Sequence, residues 1–461
     1  MSVAVRKNQM DMCHGPLLRK IIVFAVPLML ANIATMMFTA ADLIVLGHFA
    51  DSSAMAAVGA APAFTTLLLN LFWGISTGVN VLVARFIGAK DKKNLSKTIH
   101  TAAAVGCYGG LFMTVLGIIL TPFVLRWMAV PENILDKSAL YMRIWCMGIP
   151  FMILFSFGSS IMRSMGDTKR PFIFMIVAGI VNVLLNLFAV IVCKMDVAGV
   201  AIATTISNAV STFLTFRYLD RYGGDCAVHW KKIGISLPLL KEMLRIGVPA
   251  GVQGMLFSVS NIIIQSTLNS FGWQAIAGST AALSIEGIVH STFTAFVLAV
   301  VSFVGQNHGA KKYKRIMKSI WLCMGSTIGI AVILIVIVSI FKRPLLAIFN
   351  PDPEVIEWGC VRMNYQFVFY WLLGLMEIIS GSLRGLGYSF WPTVVTLMGA
   401  CVFRVIWVFT IFPYFKSMEN LMLSYPVSWA IVSAVNGFML FIICRRMLRD
   451  ASNRKFDDLS V

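Results

Sequence analysis

The stretch Ile21–Leu46, IIVFAVPLMLANIATMMFTAADLIVL, decides the fold. It runs for 26 residues with a single charge, Asp42. A membrane-crossing helix needs about 20 predominantly apolar residues, so this run is long enough to span a bilayer and too long for a signal-peptide core. The preceding segment carries Arg6, Lys7, Asp11, Arg19 and Lys20 without an apolar stretch of its own, so no cleavable leader is expected. Similar runs recur along the chain, at 57–83, 98–123, 139–161, 172–192, 197–216, 243–269, 275–304, 319–340, 359–382, 391–412 and 421–444. With the first they make twelve expected spans, numbered 1 to 12 in chain order. The fold class is therefore an all-α integral membrane protein.

Composition agrees. Of 461 residues 58% are hydrophobic and 13% charged, and the mean hydropathy is +0.83. A soluble chain of this size needs far more charge to cover its surface. The net charge of +18 does not point to nucleic acid, because the Lys and Arg residues sit in short clusters between apolar runs rather than on one soluble face. Nine cysteines form no C-x-x-C pair and no zinc-like spacing. Most lie inside apolar runs, where cysteine acts as a small buried hydrophobe.

The placement of charge is an independent test of the span map. Loops after spans 2, 4 and 8 are basic: Arg85, Lys90, Lys92, Lys93 and Lys97; Arg163, Lys169 and Arg170; Lys311, Lys312, Lys314, Arg315 and Lys318. The alternate loops are nearly neutral, with His48 and Asp51, then Arg126, Glu132, Asp136 and Lys137, then Lys194 and Asp196, then Lys416 and Glu419. Such alternation is what the positive-inside rule requires of an even number of spans with both termini cytoplasmic.

The chain also repeats. Gly88-Ala89-Lys90 matches Gly309-Ala310-Lys311, Arg163-Ser164-Met165-Gly166 matches Arg384-Gly385-Leu386-Gly387, and Pro171 matches Pro392, all 221 residues apart. Val26-Pro27 matches Val248-Pro249 at 222. Six spans per half make the halves parallel repeats, a design in which transporters bind cargo between the halves and rock one against the other. The expected organisation is an N-terminal tail (1–20), a first lobe (21–216), a cytoplasmic connector (217–242), a second lobe (243–444) and a C-terminal tail (445–461).

Charges within spans cost about 2.5–3.5 kcal/mol on insertion scales, so each needs a reason. Asp42 lies near the outer end of span 1. Asn182 and Asn186 are one helical turn apart on span 5, and Thr204 lies in the outer part of span 6. At 1.5 Å rise per residue all four fall roughly 6–15 Å below the outer surface. One carboxylate with amide and hydroxyl oxygens at matching depth suits a hard cation or a proton, and it equally suits a packing network of hydrogen bonds. In the second lobe the candidates are Glu286 on span 8, Glu377 on span 10 and Arg404 on span 11; Glu377 and Arg404 can pair by charge, or, with Glu377 closer to the cytoplasm, keep separate structural roles. Arg143 is placed to snorkel outward. The sequence Gly74-Ile75-Ser76-Thr77-Gly78 fits G-x-S-x-G, but it lies in an apolar run with no strand before it, so the nucleophile-elbow context is missing. Gly106/Gly110 and Gly325/Gly329 read as close-packing faces on spans 3 and 9. The 27 Met and 33 Phe either line an adaptable cavity or fill core and face lipid.

Several of these stretches resemble one family, the multidrug and toxic compound extrusion (MATE) transporters. Ala41-Asp42-Leu43-Ile44-Val45-Leu46-Gly47 resembles their first-helix aspartate motif. Val304-Gly305-Gln306-Asn307-His308-Gly309-Ala310 looks like their G-Q-N-x-G-A signature. Arg163-x-x-Gly166-Asp167-Thr168-x-x-Pro171 and Ala198-Gly199-Val200-Ala201-Ile202-Ala203-Thr204 resemble two further family stretches. The resemblance covers nearly the whole chain. It implies a two-lobed, twelve-helix antiporter that exports organic, often cationic or amphipathic, compounds against Na⁺ or H⁺. It also implies that Asp42, Asn182, Asn186 and Thr204 form the first-lobe cation site. Many relatives have Asp where this chain has Asn186, which leaves one carboxylate, and no acid occurs on span 7 between Val248 and Asn269. No cofactor beyond the coupling ion is expected. The expected partners are the bilayer and small-molecule cargo, with no nucleic acid, and the chain is expected to act as a monomer in the cell (inner or plasma) membrane.

Three other readings compete with this one. A flippase for lipid-linked precursors needs a strongly cationic cavity, for which only Arg404 and Arg143 offer themselves. A membrane-embedded enzyme needs a nucleophile–base set or metal ligands, and the six histidines form no such cluster. A passive channel needs a filter or an oligomeric ring.

Overall fold

The computed structural model describes residues 10–49, 58, 62–128 and 130–457. Ala57, the expected start of span 2, Asp51 of the first loop and the outer ends of both tails lie outside them. Among the described residues there is no strand, and eleven helices are long and apolar enough to cross a membrane. A twelfth crossing is a bent pair, Ile134–Met147 and Ile149–Ser164, which meet at 41°.

That bend has a local cause. Pro150 follows Gly148 at the break, and proline cannot donate the backbone hydrogen bond that would join the two helices. Span 10 is interrupted at the repeat-equivalent place, with helices Pro353–Tyr365 and Tyr370–Gly385 flanking a 3₁₀ turn at Phe367–Phe369. Spans 5 and 11 each contain a π-helical segment, Phe188–Val192 and Leu397–Val402. Such segments rotate the downstream helix face and often mark functional sites.

The repeat is written into the backbone as well. Lys90 (φ 59°) and Lys311 (φ 54°) both adopt the left-handed conformation, as do Gly166 (φ 86°) and Gly387 (φ 92°). Both pairs are 221 residues apart. A lysine at positive φ is uncommon, so its recurrence at equivalent turns reflects one ancestral turn geometry.

The chain forms two compact units, one of residues 1–11 and 26–251, the other of 12–25 and 252–461. The helices run into the expected connector from both ends: span 6 continues to Tyr222 and span 7 begins at Leu237. The short stretch left between them is pinned within the first unit. His100 Nε2 accepts from His229 N at 3.1 Å, and Thr101 Oγ1 accepts from Ser236 N at 3.1 Å. Burial there pushes the Cys226 thiol up to about 12, so it stays protonated and unreactive.

The signature Gly305–Ala310 holds the chain's own amino-terminal segment. Asn307, fully buried, donates to the carbonyl oxygens of Phe303 at 2.8 Å and Met12 at 3.2 Å. Arg315 Nε donates to Met12 O at 3.0 Å and Lys312 to Cys13 O at 3.1 Å, all within the second unit. Gly74 and Gly78, the outer members of the G-x-S-x-G stretch, are there for close helix approach. A Cβ on Gly74 would collide with the carbonyl oxygen of Gly247, and one on Gly78 with that of Met243. Ser76 shares hydrogen bonds with Ser156 and Ser160 and meets no His or acidic side chain among the described residues.

One expectation fails. Gly106 and Gly110 do sit in a tight contact, where a Cβ would come within 2.6 Å of Leu154 and 2.7 Å of Pro150. Gly325 and Gly329 face open space with nothing within 4 Å. The repeat shift of 221 explains the difference: it places Gly106 and Gly110 opposite Thr327 and Ala331, both fully buried. The span 9 glycines are two positions out of register and so lie on the outward face.

Candidate functional site

In the first unit, three spans bring the four expected residues together. Gly179 on span 5 faces Phe38 on span 1, so closely that a Cβ at 179 would run into the Phe38 ring. Thr35 on the same face of span 1 hydrogen-bonds to Met175 Sδ at 3.3 Å. The two helices therefore run side by side here. One turn beyond Phe38 is Asp42, and two turns beyond Gly179 is Asn186. Asn186 Nδ2 donates to Asp42 Oδ1 at 2.5 Å. It also approaches Asn182 Oδ1 at 3.4 Å, and Asn182 Nδ2 approaches Thr204 Oγ1 at 3.4 Å. Gly199, where a Cβ would meet Ala189 at 2.9 Å, lets span 6 close onto span 5 and carry Thr204 into place.

Asn186 is fully buried and its Oδ1 has no hydrogen-bond partner among the described residues. A buried amide oxygen left without a donor costs about 1–3 kcal/mol. The cluster is therefore short of one positive or donating group. Tyr141 on span 4, buried, lies within electrostatic reach of the Asp42 carboxylate. Sequence reasoning missed it, because a tyrosine in an apolar run reads as core.

The second unit holds a different arrangement. Glu286, fully buried, is gripped by Arg362: Nε to Oε1 at 2.9 Å and Nη2 to Oε2 at 3.0 Å. Gln366 Nε2 adds a third bond to Glu286 at 3.2 Å, and Arg362 Nη1 donates to Ser279 at 2.8 Å. Both carboxylate oxygens are occupied, so Glu286 is tied as a clamp between spans 8 and 10. Arg362 does not stand out in the sequence, since it lies just inside the expected start of span 10 and reads there as a loop-edge charge.

Glu377 and Arg404 do not pair. Glu377 Oε1 meets His290 Nε2 at 2.9 Å, because spans 8 and 10 pack side by side. Arg404 turns to span 12 instead: its Nε donates to Ser428 Oγ at 2.9 Å, and its guanidinium lies 4.1 Å over the Tyr425 ring and 5.9 Å from that of Trp429. Glu286, Glu377, His290, Arg362 and Arg404 all border one cavity of about 360 Å³ within this unit. Arg143 is exposed, in keeping with a snorkelling side chain.

No group of three or more His, Cys, Asp or Glu side chains suited to a transition metal occurs among the described residues. The oxygen-rich first-unit cluster has the donor chemistry of an alkali cation or proton site instead.

Comparison with known proteins fits this geometry. The sequence model of the family described as MatE matches twice, at residues 27–188 and 249–410, the same spacing as the internal repeat. The Bacillus subtilis (strain 168) protein named "Probable multidrug resistance protein YoeA" is 28% identical over 436 residues, covering 92% of this chain and 94% of that protein. The Thermotoga maritima protein named "Probable multidrug resistance protein NorM" is 26% identical over 435 residues, 90% of each chain. A solved structure of a MATE protein in the bent conformation superposes with a TM-score of 0.90 at 18% identity, covering 98% of this chain and all of that one, which establishes a shared fold. With two copies of the family pattern over most of its length and the matching all-helical architecture, this chain is a multi-pass membrane transporter, not an enzyme, and belongs to the MatE family.

Proposed function

We propose that the protein is a cation-coupled antiporter that exports organic, cationic or amphipathic, compounds from the cell by alternating access. Its coupling site is Asp42, Asn182, Asn186 and Thr204. The observation that supports this most directly is the buried Asn186 Oδ1, which lacks a partner among the described residues although it lies beside the Asp42 carboxylate. A Na⁺ ion takes oxygen ligands, and carboxylate, amide and hydroxyl oxygens converge here. A proton fits through a different rearrangement. An ionised Asp42 takes the Asn186 N–H, as in this structure, whereas a protonated Asp42 can donate to the amide oxygen if the Asn186 side chain turns over. Either ion changes the hydrogen bonding that ties span 1 to span 5, and only such a difference between states lets an ion shift a conformational equilibrium.

The basic loops after spans 2, 4 and 8 support a cytoplasmic location for both termini and residence in the cell membrane. The names of the relatives support drug-like cargo.

The test is efflux from proteoliposomes under an imposed Na⁺ gradient and, separately, a pH gradient, with a panel of organic cations. One of the two gradients should drive saturable efflux. Asp42→Asn should reduce it by about 100-fold or more while the purified protein stays folded. Efflux at the unmodified rate from that variant would remove Asp42 from the coupling step.

A further inference from the structure

A cavity of about 440 Å³ lies wholly within the first unit, between spans 4 and 6 at the connector end. Its wall is apolar, with Leu154 from span 4 and Phe213 from span 6, and its rim is charged, with Arg217, Asp220 and Arg221. Trp230 of the connector closes one side, packed on Phe216 with ring centres 5.5 Å apart. None of these residues belongs to the coupling cluster.

Span 6 sets the depth of the rim. Its helix begins at Asp196, which pairs with Lys137 at 2.6 Å. At 1.5 Å per residue, Arg217 and Arg221 lie roughly 32 and 38 Å further along. A hydrocarbon core is about 30 Å thick, and a bilayer with its headgroups about 40–45 Å. The two arginines therefore reach the level of lipid phosphates, while the wall beneath them lies among acyl chains. Ile206 and Phe213, two turns apart on span 6, are 43% and 60% exposed, as on a helix face turned to lipid. Phe213, Arg217 and Arg221 follow one another at intervals of four and share that face. The Arg217 guanidinium lies 5.7 Å over the Phe213 ring, so the apolar wall runs directly into the cationic rim.

Charge at the rim is unbalanced. Arg217 and Arg221 are exposed, and neither forms an ion pair among the described residues. Asp220 lies 3.7 Å from His229 Nδ1, and Asp225 is taken by Lys92 at 3.0 Å. Lys231 and Lys232 add two more positive charges beside Trp230. Basic pockets between spans at the cytoplasmic face suit acidic lipid headgroups, and an exposed tryptophan at that level is characteristic of a membrane interface.

We propose that this cavity binds one acidic phospholipid from the leaflet on the connector side, the cytoplasmic leaflet in the topology given above. Arg217 and Arg221 hold the phosphate, and the Leu154–Phe213 wall takes the upper part of an acyl chain. The lipid is a resident ligand rather than cargo, and by bridging span 6 and Trp230 it ties the connector to the first unit. The site does not depend on the export reading.

Titrations of the purified full-length protein, followed by native mass spectrometry, test this. The probes are dioleoyl phosphatidylglycerol, dioleoyl phosphatidylcholine with the same chains, and glycerophosphoglycerol, the acidic headgroup without chains. The acidic lipid should bind at least about tenfold tighter than the zwitterionic one, the scale for two basic side chains at an anionic headgroup. The doubly substituted Arg217→Gln/Arg221→Gln protein should lose that preference. Lys314→Gln/Lys318→Gln, which removes the same charge from the loop after span 8, should keep it. Equal binding of the two lipids by the unmodified protein overturns the proposal without recourse to any variant. So does a preference that falls equally in both double variants, since it would then be general surface attraction. Binding of glycerophosphoglycerol as tightly as the whole acidic lipid overturns the assignment to a lipid and leaves a site for a free phosphodiester.

Discussion

The two repeats put different chemistry at the same places. A shift of 222 sets Asp42 opposite Ile264, and a shift of 221 sets Tyr141 opposite Arg362 and Thr204 opposite Tyr425. Asn182 falls opposite Phe403 or Arg404, depending on which shift applies. The first repeat therefore has one carboxylate among neutral oxygens. The second has an aliphatic side chain in place of that acid and surrounds it with arginines, matched acids and aromatic rings. The shared backbone fixes where side chains converge, near the broken and π-bulged spans. Substitution at those positions decides what they can hold. A neutral oxygen cluster with one acid has donor chemistry suited to a small cation, whereas the acids of the second repeat are already held by Arg362 and His290.

The strongest test of this contrast is in the Glu286–Arg362 clamp. Arg362→Leu leaves a buried carboxylate unpaired and should lower unfolding stability in detergent by about 3–5 kcal/mol. Adding Glu286→Leu should recover most of that loss. Asp42→Asn should cost far less, because its partners are uncharged. If Asp42→Asn unfolds the protein while Arg362→Leu is tolerated, the roles assigned to the two repeats are exchanged.

Next in size are the glycines of spans 3 and 9. Gly110→Ala must displace the Pro150 backbone and should cost about 1–3 kcal/mol in thermal unfolding. Gly329→Ala meets open space and should be neutral, or stabilising by up to about 1 kcal/mol through helix propensity. Equal costs at the two sites would contradict the two-residue register difference.

Asn186→Asp restores a second carboxylate to the first-unit cluster. It should lower the Na⁺ concentration for half-maximal efflux by about tenfold, which corresponds to about 1.4 kcal/mol. An unchanged Na⁺ dependence would separate Asn186 from the coupling ion.

The smallest effect concerns the turns that lead into spans 3 and 9. Asp91 caps span 3, accepting from Asn94 N at 3.0 Å and Asn94 Nδ2 at 2.7 Å, and these bonds hold its carboxyl below the usual carboxylate range. The lowered value means the cap is intact at neutral pH and is lost only as pH falls through it, below about 4. The repeat-equivalent Lys312 provides no side-chain cap to span 9. Hydrogen exchange in the first turn of span 3 should accelerate on acidification and that of span 9 should not. Parallel behaviour in both would show that the cap contributes nothing.

Much of the fold is legible in the residues alone. Apolar run length counts spans because lipid cannot satisfy backbone polar groups, so each crossing must be one continuous or nearly continuous helix. The repeat shows itself through turn residues such as Gly166 and Gly387, whose positive φ restricts what can stand there. The break at Gly148–Pro150 is visible as residues, yet its apolar flanks read as one straight span. The π segments leave no such signal, since they depend on how neighbouring helices share space.

For the candidate sites the division is similar. Asp42, Asn182, Asn186 and Thr204 can be grouped by depth and helical face, because position along a spanning helix converts directly to depth in the membrane. Which charge meets which cannot. Glu377 finds His290 rather than Arg404, and Glu286 finds Arg362, because lateral pairing depends on the rotation and neighbour order of packed helices. Sequence alone thus determined the membrane class, the span number and the doubling, all of which follow from periodicity and burial cost along one dimension. Tertiary structure alone decided the pairings, the Asn186 oxygen that meets no donor among the described residues and the placement of Arg404 over Tyr425, because these depend on side-to-side distances between helices far apart in the chain.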